Sequence, residues 1–363
     1  MMDIMVKKDK MQAKQQVIRA GKELSYSGLI ARTWGNVSCR TGEDAFVITA
    51  SGRNYLTLTE DEVIEVKISD LSYRGDVKPS SEKKVHREVY RLKPEAGFVI
   101  HTHQSNASAV SAMGLTEVVF DKVYPSIGNK VLCADYGLPG TKKLCRNTAA
   151  AVEASQGKAV IMRHHGAVCY GRDYEEAFQV AHELEKACGA YLKALGVEPW
   201  SFSEERPEGD AAAAGSEASG DRSSAVLWNT SPVVLKFAEE EQELRPYLDD
   251  FAQLVGTVLK VREYTDDEIK EAPAAGTPLL VKGKGALCGA AEAGDAEAFS
   301  MVIEKNCRAF LAAQAGRGGR TGRDAADGNG CGAAKPIKHW ECVLMRQIYL
   351  KKYSKLSQKS AKA

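Results

Sequence analysis

Two stretches of this chain repeat one another, and the repetition limits the folds open to it. AVIMRHHGAVCYG, followed by EAFQVAHELEKACGAYL, is echoed by LLVKGKGALCG and EAFSMVIEKNCRAFL. Gly166 and Cys169 pair with Gly285 and Cys288 at an offset of 119 residues, as do Cys188 and Cys307. Each copy reads as a strand, a glycine turn, a second strand and a long helix, so strand–helix units are expected in both halves. The copies differ in chemistry, because His164 and His165 correspond to Gly283 and Lys284. More loosely, AVLWNTSPVV matches FVIHTHQSNA, with Trp228 and Thr230 at the positions of His101 and His103. The second half therefore reads as a shortened copy without the histidines; a chance likeness of two strand–helix units is the competing reading.

Between the copies the composition changes. Residues 201–224 are rich in Glu, Gly, Ala and Ser, which predicts a flexible linker between a domain over 1–200 and a second over 225–363. The stretch QAGRGGRTGRDAADGNGCGAAK predicts another flexible segment before a basic final helix around Leu344 to Tyr353. At 363 residues and 44% apolar, the chain is long enough for two cores. Lys and Arg total 49 against 48 acids, so no bulk field draws in nucleic acid or an anionic membrane. No apolar run reaches the 18 or so residues that a membrane span needs, and the amino terminus lacks a signal-peptide core, which together predict a cytoplasmic protein. Nine cysteines without a Cys-x-x-Cys pair suit reduced thiols. A bound metal would depend on histidine.

The histidines are few and clustered. GFVIHTHQS ends an apolar strand with His101 and His103, whose side chains share one face because strand residues alternate. His165, after the strand AVIM, supplies a third imidazole. Three neutral imidazoles suit zinc and other divalent first-row metals and leave a position open for substrate; the plain alternative is a pair of solvated strand ends. Glu82 follows Pro79-Ser80-Ser81 at a helix start, with His86 one turn on. It reads either as a residue favoured by the helix dipole or as a proton acceptor beside a metal. Ser80 and Ser81, the turn from Gly35 to Ser38, and Ser51-Gly52 offer hydroxyls and backbone donors suited to a phosphate.

In this order TWGNVS, ITASG, KPSSE, VIHTH and RHHGAV resemble the class II aldolase/adducin family, which includes fuculose-phosphate and rhamnulose-phosphate aldolases and ribulose-phosphate 4-epimerase. The resemblance covers about residues 10 to 198. It implies a three-layer αβα fold with a central, mainly antiparallel sheet. It further implies Zn2+, or another divalent ion such as Mn2+ or Co2+, on His101, His103 and His165, and a substrate phosphate held by Asn36, Ser51, Gly52, Ser80 and Ser81. Glu82 would be the acid/base of a retro-aldol cleavage of a phosphorylated ketose through a metal-stabilised enediolate. Aldolases of this type carry Glu after the two serines and the epimerase carries Asp, whereas TWGNVS is closer to the epimerase. Epimerisation is therefore the second enzyme reading. The aldolases also use a tyrosine, often from a neighbouring subunit, and the epimerase an Asp; Tyr124 and Asp121 are the candidates in TEVVFDKVYPSIGNKVLC. A third reading is a noncatalytic adducin-like association module, which predicts lost metal ligands. Family members commonly form homotetramers with sites between subunits, so a homo-oligomer is expected, with the repeat standing in for a neighbouring subunit as one arrangement.

Overall fold

A computed structural model describes residues 9–27, 29–30, 34–201, 225–265, 276–290, 292–318 and 334–353. The expected linker falls almost wholly outside these residues, as does most of the second Gly-rich stretch. The first half is built on an eight-stranded sheet in the order β3-β2-β1-β4-β8-β7-β6-β5. Its strands are β1 (Gly35–Gly42), β2 (Ala45–Thr49), β3 (Val63–Lys67), β4 (Phe98–Thr102), β5 (Glu117–Tyr124), β6 (Gly128–Ala134), β7 (Ala159–Met162) and β8 (Gly166–Gly171). Every neighbouring pair is antiparallel except β6 and β7. The mainly antiparallel α/β fold is thus present.

Alternation along the strands divides the core into two layers. Val47, Phe98, Ile100 and Cys169 face α1 (Lys10–Tyr26), α3 (Ser105–Ser111) and α5 (Tyr174–Ala194). Phe46, Ile48, Val99 and Tyr170 face α2 (Lys83–Leu92) and α4 (Lys142–Ala154). This parity puts His101 on the α2 face, the face that Val99 also occupies. The long α5 begins where Asp173 accepts from the Glu176 N–H, and it buries a stripe from Tyr174 through Phe178, Ala181 and Leu184.

The second half carries a five-stranded sheet in the order β10-β11-β12-β13-β9. Its strands are β9 (Ala225–Asn229), β10 (Glu243–Leu244), β11 (Leu259–Arg262), β12 (Leu279–Val281) and β13 (Gly285–Ala290), and its helices α6 (Pro232–Glu240), α7 (Asp249–Leu254), α8 (Ala293–Gly318) and α9 (His339–Ile348). Strand by strand this order matches β5-β6-β7-β8-β4, including the one parallel pair, β11 with β12. The registers agree as well: Val168 lies opposite His101 in the first sheet, and Leu287 lies opposite Trp228 in the second. His164 and Gly283, which share the 119-residue offset, both adopt positive φ, at 60° and 65°. Among the described residues, nothing in the second sheet corresponds to β1, β2 and β3. The halves are not separate bodies, because Val233, Phe237, Phe251, Val302 and Phe310 join the same apolar cluster as α1, α3 and α5.

One shared feature has an energetic test. A Cβ on Gly166 would stand 2.1 Å from Thr102 O, and one on Gly285 would stand 2.3 Å from Asn229 O, its equivalent. Gly285 also has φ +102°. Gly285→Ala is therefore expected to lose about 1–3 kcal/mol through clash and backbone strain, read as a lower urea midpoint. Gly196→Ala, at φ +75° with open space around it, should lose less.

Candidate metal centre and active site

The centre lies where β4 ends, between the turn from β7 to β8 and the start of α2. Gly35 lets β1 run against this end, since a Cβ there would lie 2.8 Å from His101 O. Asn36 pairs with His101 in the ladder and so faces the same way. The His101, His103 and His165 side chains offer three nitrogens within 4.8 Å of one another, all three residues buried. The rings of His101 and His165 stack, with centroids 4.8 Å apart and planes 6° from parallel. His101 Nε2 is 3.1 Å from His103 Nε2.

Outward-facing ring nitrogens set the inward ones. His101 Nδ1–H donates to Ala167 O at 2.9 Å, leaving Nε2 directed inward. His165 Nδ1 makes a short hydrogen bond to Asp249, and its Nε2 lies 3.1 Å from Glu82 Oε1 without an aligned hydrogen bond. His103 Nδ1 lies 3.7 Å from Asp250 Oδ2, a charge contact beyond hydrogen-bond length. Neutral imidazole nitrogens with this convergence and burial fit a divalent first-row cation. His165 Nε2, a buried donor site without a hydrogen bond, is the observation that favours one.

Glu82 sits at the N-cap of α2, yet its side chain caps nothing. Instead its carboxylate bridges the histidines, with Oε2 3.0 Å from His101 Nε2. Burial works against its charge, but His101 and His165 outweigh burial and hold the carboxyl well below its usual range. For His165, burial disfavours the imidazolium, and Asp249 and Glu82 more than offset it, so it stays charged well above the ordinary histidine range. A bound cation would take the place of the proton on Nε2. Burial draws His103 down to about 4, with Asp250 opposing.

Behind Glu82 runs a directed set of hydrogen bonds. Burial, with His101 adding to it, pushes His86 down to about 3, so its ring is neutral. Ser38 Oγ lies 2.6 Å from His86 Nδ1 and 2.7 Å from the Tyr90 hydroxyl. His86 Nε2–H donates to Asn36 Oδ1, and Asn36 Nδ2 donates to Glu82 Oε2 at 3.3 Å. A neutral imidazole carries one donor and one acceptor, so the Ser38 hydroxyl donates to Nδ1 and each later group has one role. The amide of Asn36 thereby presents N–H to Glu82 and keeps it an acceptor.

Asn36, Ser51, Gly52, Ser80, Ser81, Glu82, His103 and His165 line one cavity of about 390 Å³. His101 stands behind them, 1% exposed. Ala50 and Pro79 pair as an isolated bridge, bringing the Ser51-Gly52 turn beside Ser80 and Ser81. Tyr124 and Asp121 do not line this cavity; they lie on β5, the outer edge strand, where Tyr124 packs on Phe120. The sequence reading did not find the second half's share of the cavity: Gln253 of α7, Leu344, Met345 and Ile348 of α9, and Tyr349 just after it. Nor did it find Asp249 and Asp250, both fully buried. Acids opening a short helix look like ordinary helix-start residues, so no local signal marked them.

Fold and site together define a class: a three-layer protein with a buried trihistidine cluster and a carboxylate beside it. The profile of the Class II Aldolase and Adducin N-terminal domain matches residues 15–192. L-fuculose phosphate aldolase of Escherichia coli is 32% identical over 184 residues, which is 50% of this chain and 84% of that protein. A 5-methylthioribulose-1-phosphate/5-deoxyribulose-1-phosphate aldolase of Rhodospirillum rubrum is 31% identical over 182 residues, 50% of this chain and 80% of that one. A solved L-fuculose 1-phosphate aldolase, 27% identical, superposes with a TM-score of 0.47 over 53% of this chain and 91% of its own. The chain belongs to the class II aldolase and adducin family. Among the described residues no helix is long and apolar enough to cross a membrane.

The relay behind Glu82 predicts an acid response. His86 titrates near 6.5 when unfolded and near 3 when folded. As pH falls below about 6.5 the unfolded chain therefore gains the proton first, and stability drops by about 1.4 kcal/mol per pH unit down to the folded value. His86→Gln should make the slope of stability against pH shallower by that amount in this window, measured by urea unfolding of metal-free protein.

Proposed function

We propose that the first half is a metal-dependent aldehyde-lyase that cleaves a phosphorylated ketose. The observation that carries this reading is the Glu82 carboxylate held between His101 Nε2 and His165 Nε2 at 3.0 and 3.1 Å, inside the cavity. His101, His103 and His165 would hold the cation, Zn2+ being the first choice and Mn2+ or Co2+ alternatives for the same donors. When bound, it supplies a Lewis acid for the negative charge that develops on the carbonyl oxygen as the carbon–carbon bond breaks. Glu82, kept ionised by His101 and His165 and oriented by Asn36, moves the proton at the reacting carbon of the ketone fragment. Ser51, Gly52, Ser80, Ser81 and Asn36 bind the phosphate; the hydroxyls and backbone N–H groups of the two adjoining turns suit a dianion. The aldolase names of the relatives support cleavage of a sugar phosphate and leave the particular sugar open.

The identity of residue 82 favours cleavage over 4-epimerisation, since Glu stands in the position that carries Asp in the epimerase. The association-module reading fits the second half better than the first. We infer that residues 225–363 are a degenerate copy of the domain formed by residues 1–200: the same strand order, registers and turn recur with Trp228 and Thr230 in place of His101 and His103.

The metal-loaded protein, offered ketose 1-phosphates and pentulose 5-phosphates, should release an aldehyde from at least one ketose 1-phosphate. Epimer formation without aldehyde would favour the second reading, and neither product would overturn both. Glu82→Gln should retain metal and lower turnover by roughly 10²–10⁴-fold, the usual range for loss of an acid/base. Unchanged turnover would remove Glu82 from the chemistry.

A further inference from the structure

The cavity's ligand set lies in the first half, yet two of its three histidines are held from the second. The turn between β5 and β6 consists of Pro125, Ser126 and Ile127; between the equivalent β10 and β11 the chain runs through residues 245–258 and includes α7. That insertion reaches back to the metal centre. Asp249 N donates to His164 O at 2.9 Å, His164 Nδ1–H donates to Tyr247 O at 2.8 Å, and the Asp249 carboxylate accepts from His165 Nδ1. Asp250 Oδ2 forms an ion pair with Lys305 of α8 and stands 3.7 Å from His103 Nδ1. Lys305 also donates to His103 O at 3.0 Å. Asn306, next on α8, fixes the insertion by accepting from Tyr247 N and Leu248 N at 2.8 and 3.0 Å.

Helix capping does not account for the two acids. The N-cap of α7 is Leu248, α7 has six residues, and both carboxylates are fully buried. Burying two adjacent carboxylates costs several kcal/mol each unless each is paired. The partners they meet are the outward nitrogens of two candidate ligands and one lysine. Counted as charges, Lys305 balances one of Glu82, Asp249 and Asp250, so with neutral imidazoles two negative charges are left for a divalent cation to match. A carboxylate on the outer nitrogen of a ligating imidazole fixes its tautomer and raises its basicity.

We propose that the second half, having lost the histidines itself, completes the first half's metal site: Asp249 and, more weakly, Asp250 are positioning residues that orient His165 and His103 toward the ion. The proposal rests on the metal-site reading above. It makes the insertion between β10 and β11 the reason the degenerate copy is retained.

The test uses the full-length chain, with Zn2+ affinity measured by chelator competition and Co2+ by its visible absorption. Wild type should bind one ion, and His101→Ala should abolish binding. Asp249→Asn, nearly isosteric, should weaken Zn2+ binding about 10–100-fold and shift the Co2+ bands. Asp250→Asn should have a smaller effect in the same direction. Gly285→Ala, a destabilised variant away from the ligands, should leave the Co2+ spectrum unchanged, so that a merely structural loss is distinguishable. If Asp249→Asn is folded by circular dichroism and binds Zn2+ with wild-type affinity and an unchanged Co2+ spectrum, the proposal is overturned while the metal site stands. If wild type binds no ion, or His101→Ala binds as well as wild type, the metal-site reading falls and the proposal with it. Should Asp249→Asn fail to fold, the same measurements on Asp249→Glu and Asp250→Asn decide: wild-type affinity and spectrum in both overturn the proposal.

Discussion

Carboxylates and imidazoles withdrawn from water govern this molecule. Glu82, Asp249 and Asp250 lie with His101, His103 and His165 in a space where an unpaired charge would cost more than most single contacts return. Each therefore needs a partner, and the partners come from the end of β4, the turn before β8, the start of α2, the insertion before β11 and the helix α8. Satisfying that cluster requires these elements to meet, which is why the two halves share a core instead of touching at a rim.

The same constraint explains the polarity of the surroundings. A neutral His86 lets one hydrogen-bond direction run from the Ser38 hydroxyl to Glu82, so the carboxylate is presented as an acceptor before any substrate arrives. On the other side, backbone and carboxylate acceptors at the outer nitrogens of His101 and His165 leave inward nitrogens for a cation. Preorganisation of this kind means the groups are oriented during folding and need not reorganise during reaction. Leu344, Met345 and Ile348 of α9 form an apolar part of the cavity wall.

Read as the degenerate copy proposed above, the second half keeps strand order and register where the histidines are replaced. The strand that carries Trp228 pairs in the register of the strand that carries His101, and the glycine that permits that approach recurs at Gly285. Those positions are held by backbone geometry, and a tryptophan satisfies the backbone as well as a histidine does. On that reading the copy retains a scaffold, and residues 245–258, which stand where the first half has a three-residue turn, reach the other half's histidines.

Much of the first half was legible in the sequence because its signals are local. Period-two alternation placed His101 and His103 on one face, the Pro-Ser-Ser-Glu start placed Glu82 at a helix end, and the glycine turn placed His165 at a strand junction. Alternation fixes faces but carries no distances, so the meeting of these residues and the role of Asn36 as the bridge from His86 to Glu82 came from the sheet register. Asp249, Asp250 and Lys305 were not legible. Their histidine partners lie between 84 and 202 residues away in the chain, and an acid at a short helix start has the same local pattern whether it faces water or a buried imidazole. The sequence by itself determined the residue types, the faces they occupy and the family; only the tertiary structure decided which charges are buried together, because burial is a property of the packed chain and not of any segment of it.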